Sequence, residues 1–233
     1  MKSGSDTAMS VYLVHGDVEK FQSLVLPLSD EEFAALPDLA GYRVADRWPM
    51  PPVHVENELA PEPDIWHLST LSKSFAMSRD VIERLEPFIS SAGELLPLRA
   101  GDSTVPKLFA LNILDPLDVH VVIDVAASDE ERGIELASYK GSVPQEEYDA
   151  IIADAQAGDP WPALYPAFIA GGLREASTFF KINRLPGSVF LLDRTDEGDT
   201  LLRRINRFAV TGLRIIRVWS SETGPERVNL FRV

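Results

Sequence analysis

LFALNIL (108–114), DPLD (115–118) and VHVVIDV (119–125) run consecutively in the chain, and their reading decides the fold class. The first is a nearly continuous apolar run of strand length, the pattern of a strand buried on both faces. The second fits a type I turn, with Asp115 at the first position and Pro116 at the second. In the third, Val119, Val121, Ile123 and Val125 alternate with His120 and Asp124, which predicts a strand with one apolar face. Strand, turn and strand in this order predict an antiparallel hairpin, and with it a mostly antiparallel sheet.

Helices are expected against that sheet. Upstream, Glu94 to Arg99 reads as a strand. A helix is predicted from Ser78, with Met77 and Ile82 placed as a hydrophobic staple and Val81, Ile82, Leu85, Phe88 and Ile89 on one face, until Pro87 ends or kinks it. Downstream, Thr178 to Asn183 and Ser188 to Asp193 read as strands joined at Pro186-Gly187. A last helix over about Thr200 to Ala209 groups Leu201, Leu202, Ile205 and Phe208 and ends near Gly212, a natural left-handed cap. Leu213 to Trp219 and Val228 to Val233 read as closing strands. The class is therefore α+β: a mostly antiparallel sheet, a few packed helices and a smaller N-terminal subdomain.

In that subdomain Val11 to Val14 reads as a strand, and Asp17 caps a predicted helix carrying Phe21, Leu24 and Val25. Ser29 and Glu32 have the spacing of a capping box, in which each side chain satisfies the other's backbone N–H. Five prolines between Pro49 and Pro63 exclude a helix or a central strand there. The expected organisation is a flexible start over 1–10, an N-terminal subdomain and Pro-rich linker over 11–62, and an α+β domain over 63–233 with an acidic elaboration at 126–175.

The 233 residues, 45% of them hydrophobic, suffice for a real core. The start lacks an apolar signal stretch, and no later run approaches the roughly 18 to 20 apolar residues that cross a bilayer. The absence of cysteine rules out disulfides, thiolate metal sites and cysteine nucleophiles and suits a reducing compartment, so the cytoplasm is expected. Net charge is −14 but unevenly spread. Met1 to Gly172 carries 29 acidic and 11 basic side chains, whereas Leu173 to Val233 carries 7 and 11. Such acidity opposes binding to nucleic acid or anionic lipid and favours a basic protein partner.

Phosphate-loop, dinucleotide, serine-hydrolase and zincin patterns are all missing, so no catalytic residue and no cofactor is assigned. His54, Glu56 and Glu58 have the ligand types for zinc or manganese; a solvated polar linker is the better reading of them. Asp115, Asp118, His120 and Asp124 invite a metal or acid–base role, although the turn already explains the outer pair. Arg203, Arg204 and Arg207 could meet phosphates, but are read first as the wet face of the last helix. His15 and His67 have no informative neighbours. The candidates for partner binding are the carboxylates Asp129, Glu130, Glu131, Glu146, Glu147 and Asp149, as a rim, and the aromatics Trp161, Tyr165 and Phe168, as anchors. Packing beneath their loop competes with the anchor role.

Pro63-Asp64-Ile65, Met77-Ser78-Arg79 with the helix to Ile89, Glu94 to Leu98, Leu111 to Asp118, Phe180-Lys181-Ile182, Val189-Phe190-Leu191, the helix at Leu201 to Phe208 and Thr211-Gly212-Leu213-Arg214 recur in an order that resembles a bacterial immunity-protein family of polymorphic toxin systems. The resemblance covers about two-thirds of the chain and omits Ala126 to Glu175. It implies an α+β protein that binds and neutralises a cognate toxin stoichiometrically, without catalytic residues or cofactor. The alternative is a metal-dependent hydrolase using the His54, Glu56 and Glu58 or the Asp118 and His120 region. Nucleic-acid binding through the C-terminal arginines is a third reading, disfavoured by the net charge.

Overall fold

The computed structural model describes residues 8–37, 39, 41–71, 74–100, 107–114, 116–123, 143–148, 150, 166–182, 188–194 and 198–226. They form an α+β fold whose strands divide between two mostly antiparallel sheets. The first has the order β12 (Gly224–Pro225), β11 (Leu213–Ser220), β1 (Met9–Gly16), β10 (Val189–Arg194), β9 (Phe179–Lys181). The second has the order β6 (Gly93–Pro97), β8 (Leu108–Ile113), β5 (Ser74–Ser78), β4 (Ile65–Leu68), β2 (Ser23–Val25), β3 (Pro52–Glu56), β7 (Arg99–Ala100). In the second sheet the pairs β2/β4 and β3/β7 are parallel.

The apolar run at 108–113 is a central strand, as its composition predicts, with β6 on one side and β5 on the other. The predicted hairpin does not form. Both flanks of β8 are occupied, so 119–125 has no edge beside it to join. Leu117 instead bridges Ile182, the residue after β9, its N–H donating to the Lys181 carbonyl at 2.9 Å. Val119–Val122 then makes one helical turn, α4, with the Asp118 carbonyl accepting from the N–H groups of Val121 and Val122. Val122 and Ile123 are buried and Val121 is exposed. Asp115 and Asp124 lie outside the described residues.

Residues N-terminal to the expected boundary near 62 enter the same sheets as those after it. β1 lies between β11 and β10, and β2 and β3 extend the second sheet beyond β4. Contrary to the expectation that the prolines exclude a central strand, β3 lies between β2 and β7; Pro52 is accommodated because it is the first residue of the strand, where a missing N–H is tolerated. The helix expected after Asp17 is a single turn, closed by Lys20 and Phe21 N–H groups on the Asp17 carbonyl. Leu24 and Val25 then sit on opposite faces of β2, Leu24 buried and Val25 half-buried.

Strand alternation distributes the apolar residues among three cores. Tyr12, Val14, Val189 and Leu191 of the first sheet meet Ile65, Phe75, Met77, Leu111 and Ile113 of the second. Three helices share this central core: α2 (Arg79–Leu85), α3 (Phe88–Ala92) and α5 (Leu201–Arg207). Val11, Leu13, Phe190 and Leu192 face the opposite way, under Val122, Ile123 and the 166–176 segment. Leu24, Trp66, Leu68, Ala76, Leu108 and Ala110 form the third core, under Leu28, Leu36, Leu39 and Trp48.

The helix ends follow local rules. Both halves of the Ser29–Glu32 capping box are present on α1 (Asp30–Ala34). Ser78 caps α2 by accepting from the Val81 N–H, and Met77 and Ile82 are both in the central core. At the end of α5 the left-handed residue is Ala209, at φ 48°, rather than the expected Gly212. Val210 N–H reaches the Ile205 carbonyl and Ala209 N–H the Asn206 carbonyl, the two bonds of a Schellman motif. Gly212, at φ 96°, serves a close approach instead, because a Cβ there would lie 2.0 Å from the Ile65 carbonyl oxygen. Left-handed backbone costs a residue with a Cβ about 1–2 kcal/mol. Ala209→Gly is therefore expected to stabilise the fold by about 1 kcal/mol, seen as a rise in Tm of about 2–4 °C. An unchanged or lower Tm would contradict this account of the cap.

Candidate functional site

Of the nine partner-binding candidates, Asp129, Glu130, Glu131, Asp149, Trp161 and Tyr165 lie outside the described residues. Glu146 and Glu147 are exposed on a helical turn at 145–148, with Tyr148 N–H on the Pro144 carbonyl at 3.0 Å. Phe168 is not an exposed anchor. It is 5% exposed and bridges Ile123. Its ring meets those of Phe180, Phe190 and Trp219 at centroid distances of 6.4, 5.6 and 6.0 Å. The competing reading, packing beneath the loop, describes its position.

His54 and Glu56 share the exposed face of β3, opposite Val53 and Val55, which pack on the third core. Glu56 Oε2 accepts from the Ser23 and Ser69 hydroxyls at 3.1 and 2.8 Å. Glu58 follows Asn57, which is left-handed at φ 56°, and its carbonyl accepts from Gln22 Nε2 at 3.1 Å. Asp118 is exposed ahead of α4, and His120 is on that helical turn, not on a strand beside Asp124. Among the described residues, no three His, Cys, Asp or Glu side chains gather as a metal site would require.

The three arginines of α5 also part company. Arg204 turns inward: its Nε and Nη2 donate to Asp199 Oδ2 at 2.9 and 2.5 Å, its Nη1 donates to the Glu86 carbonyl, and its guanidinium lies 5.2 Å from the Phe88 ring centroid. It thus joins α5 to the α2–α3 junction, and its hydrogen bond holds the Asp199 carboxyl below its ordinary value. Arg203 and Arg207 remain exposed, Arg203 Nη1 donating to the Gly198 carbonyl at 3.0 Å.

Two polar nodes escape a linear reading. In the first, Asp64 Oδ2 accepts from both the N–H and the hydroxyl of Thr211 at 3.0 Å, while Oδ1 accepts from Arg84 Nη2 at 2.5 Å. Burial raises the Asp64 carboxyl; the Thr211 and Arg84 hydrogen bonds and the Arg84 charge outweigh it, and the net shift is downward. In the second, Glu94 Oε1 accepts from the Val44 N–H at 2.6 Å and from Asn112 Nδ2 at 2.9 Å. Asn112 Nδ2 also donates to the Tyr42 carbonyl at 2.8 Å. This buried pair fixes the loop that presents the Tyr42 ring, 73% exposed. Its signal in the sequence is Asn112, the one polar residue inside LFALNIL.

Comparison of the chain with protein-family models, with curated proteins and with solved structures finds no match. No helix among the described residues is long and apolar enough to cross a membrane.

Proposed function

We propose that the protein is an immunity protein that binds a cognate bacterial toxin, basic in charge, and neutralises it by stoichiometric, non-catalytic complex formation in the cytoplasm. The observation that carries the reading is where the segments resembling that family meet. Asp64 and Ile65 are hydrogen-bonded to Thr211 at the start of β11. Glu94 and Leu95 pair with Asn112 and Leu111, and Phe180 and Lys181 with Phe190 and Val189. Met77, Ile89, Leu111, Val189, Leu201 and Ile205 share the central core. The resembling segments are thus the framework of one fold, which leaves exposed carboxylates such as Glu146 and Glu147 available to a cationic partner.

Purification with the product of the adjacent gene tests the reading. The expected result is a 1:1 complex and protection of cells that express that product. Reversing Glu146 and Glu147 to lysine is expected to slow association about tenfold at low salt, an effect that fades as salt rises. Absence of both the complex and the protection would refute the proposal.

A further inference from the structure

Where β1 begins, three polar side chains stand in one row across three strands. Ser10 pairs with Asp193 on β10 and with Ser220 on β11, and directly opposed residues point to the same face. All three are buried, Asp193 at 7% exposure, and Asp193 Oδ1 is buried with no hydrogen-bond partner. The Ser220 hydroxyl is engaged with Thr223. The next row on this face places Tyr12 between Leu191 and Arg217. Arg217 is ion-paired to Glu226, and their side chains are 48% and 33% exposed. Burial first, and the Asp193 charge second, push the Tyr12 phenol above its ordinary value, so it stays protonated beside that carboxylate.

A buried acceptor without a donor costs about 1–3 kcal/mol, and more when charged. Among the described residues no ion pair offsets this at Asp193. Arg217, the cation of the next row, is already ion-paired to Glu226 and not to Asp193. We infer that Asp193, with Ser10 and Tyr12, is a binding site for a guanidinium group, carried by free arginine or by an arginine side chain of a protein partner. A guanidinium supplies the missing charge and planar, directional donors for carboxylate and hydroxyl oxygens, and can stack on the Tyr12 ring. The site stands independently of toxin neutralisation.

The test is amide NMR titration of the full chain with N-acetyl-arginine methylamide, free arginine, and the uncharged N-acetyl-citrulline methylamide. The arginine probes are expected to give saturable shifts at Ser10, Tyr12, Asp193 and Ser220, and the citrulline probe none. Tighter binding of the blocked probe points to a protein side chain as the source, and tighter binding of free arginine to a small molecule; either supports the site. Asp193→Asn is expected to weaken binding about tenfold or more and to raise the Tm of the free protein by about 2–4 °C, because a buried uncompensated charge is removed. Glu226→Gln frees Arg217 to compete for Asp193 and is expected to weaken the arginine probes severalfold. Absence of saturable shifts, an equal response to citrulline, or wild-type binding in both variants would overturn the inference. So would a lower Tm in Asp193→Asn, which would make the carboxylate structural.

Discussion

Phe168→Ala is expected to lower the unfolding free energy by about 3–5 kcal/mol, the range for emptying a buried aromatic site. The ring is enclosed by Phe180, Phe190 and Trp219, of which Phe180 and Phe190 also stack on each other at 5.4 Å. The 166–176 segment covers the outer face of the first sheet, and Phe168 is its largest buried side chain there. Alanine leaves a cavity between a sheet and its cover, and three rings lose edge contacts worth about 0.5–1.5 kcal/mol per pair. Urea denaturation should show a lower midpoint at an unchanged slope. A loss below about 1 kcal/mol would place the ring outside the core and restore it as a partner anchor.

Asp64→Ala is expected to cost about 3 kcal/mol, since hydrogen bonds to a charged group contribute about 1.5–3 kcal/mol and the substitution strips partners from Thr211 and Arg84 together. The node joins the residue before β4, the approach to β11 and the last turn of α2, so its loss loosens the seam between the sheets. Asp64→Asn keeps the shape without the charge and should cost less. Acid titration separates charge from shape. The folded carboxyl lies below its ordinary value, so between the two values the unfolded chain binds more protons than the folded one. The charge-dependent stability is therefore fully present above the unfolded value of about 4 and is lost as pH falls through the folded value. The stability gap between wild type and Asp64→Asn should accordingly be full at pH 6 and shrink below about pH 4. A gap independent of pH would contradict the charge contribution.

Features that depend on residues a few positions apart were legible. The Ser29–Glu32 box, the Ser78 start with its Met77 and Ile82 staple, and the break at Pro87 between α2 and α3 each follow from contacts within one turn of chain. β1, β6, β8, β9, β10 and β11 were legible because period-two or continuous apolar runs of that length have few other uses. VHVVIDV misled for the converse reason. Its alternation is that of a strand, but whether a strand forms depends on a free edge, and β5 and β6 take both edges of β8. Leu24 and Val25 misled similarly, since two apolar residues after a turn suit a helix or a strand until β3 and β4 are placed beside them.

The candidate sites divide along the same line. The sequence could offer Phe168 as an anchor or as core, but only the three rings brought from Phe180, Phe190 and Trp219 decide between them. Arg204 has the spacing of a wet helix face and turns inward because Asp199 and the Glu86 carbonyl lie within its reach. Asp64 with Thr211, Glu94 with Asn112 and Val44, and Asp193 with Ser10 and Ser220 carry no motif, because their partners are distant in the chain and meet only across strands.

By itself the sequence determined the α+β class, the acidic bias of its first 172 residues, six of the twelve described strands and the starts of α1, α2 and α5, all properties of composition or of short-range periodicity and capping. The tertiary structure decided the division into two sheets, the helical turn in place of a hairpin, the inward position of Phe168 and the buried carboxylate at Asp193. These follow from which edges and faces remain open once other strands have paired, and from the protonation and hydrogen-bond balance of groups that pairing brings together. Local propensity carries no information on either.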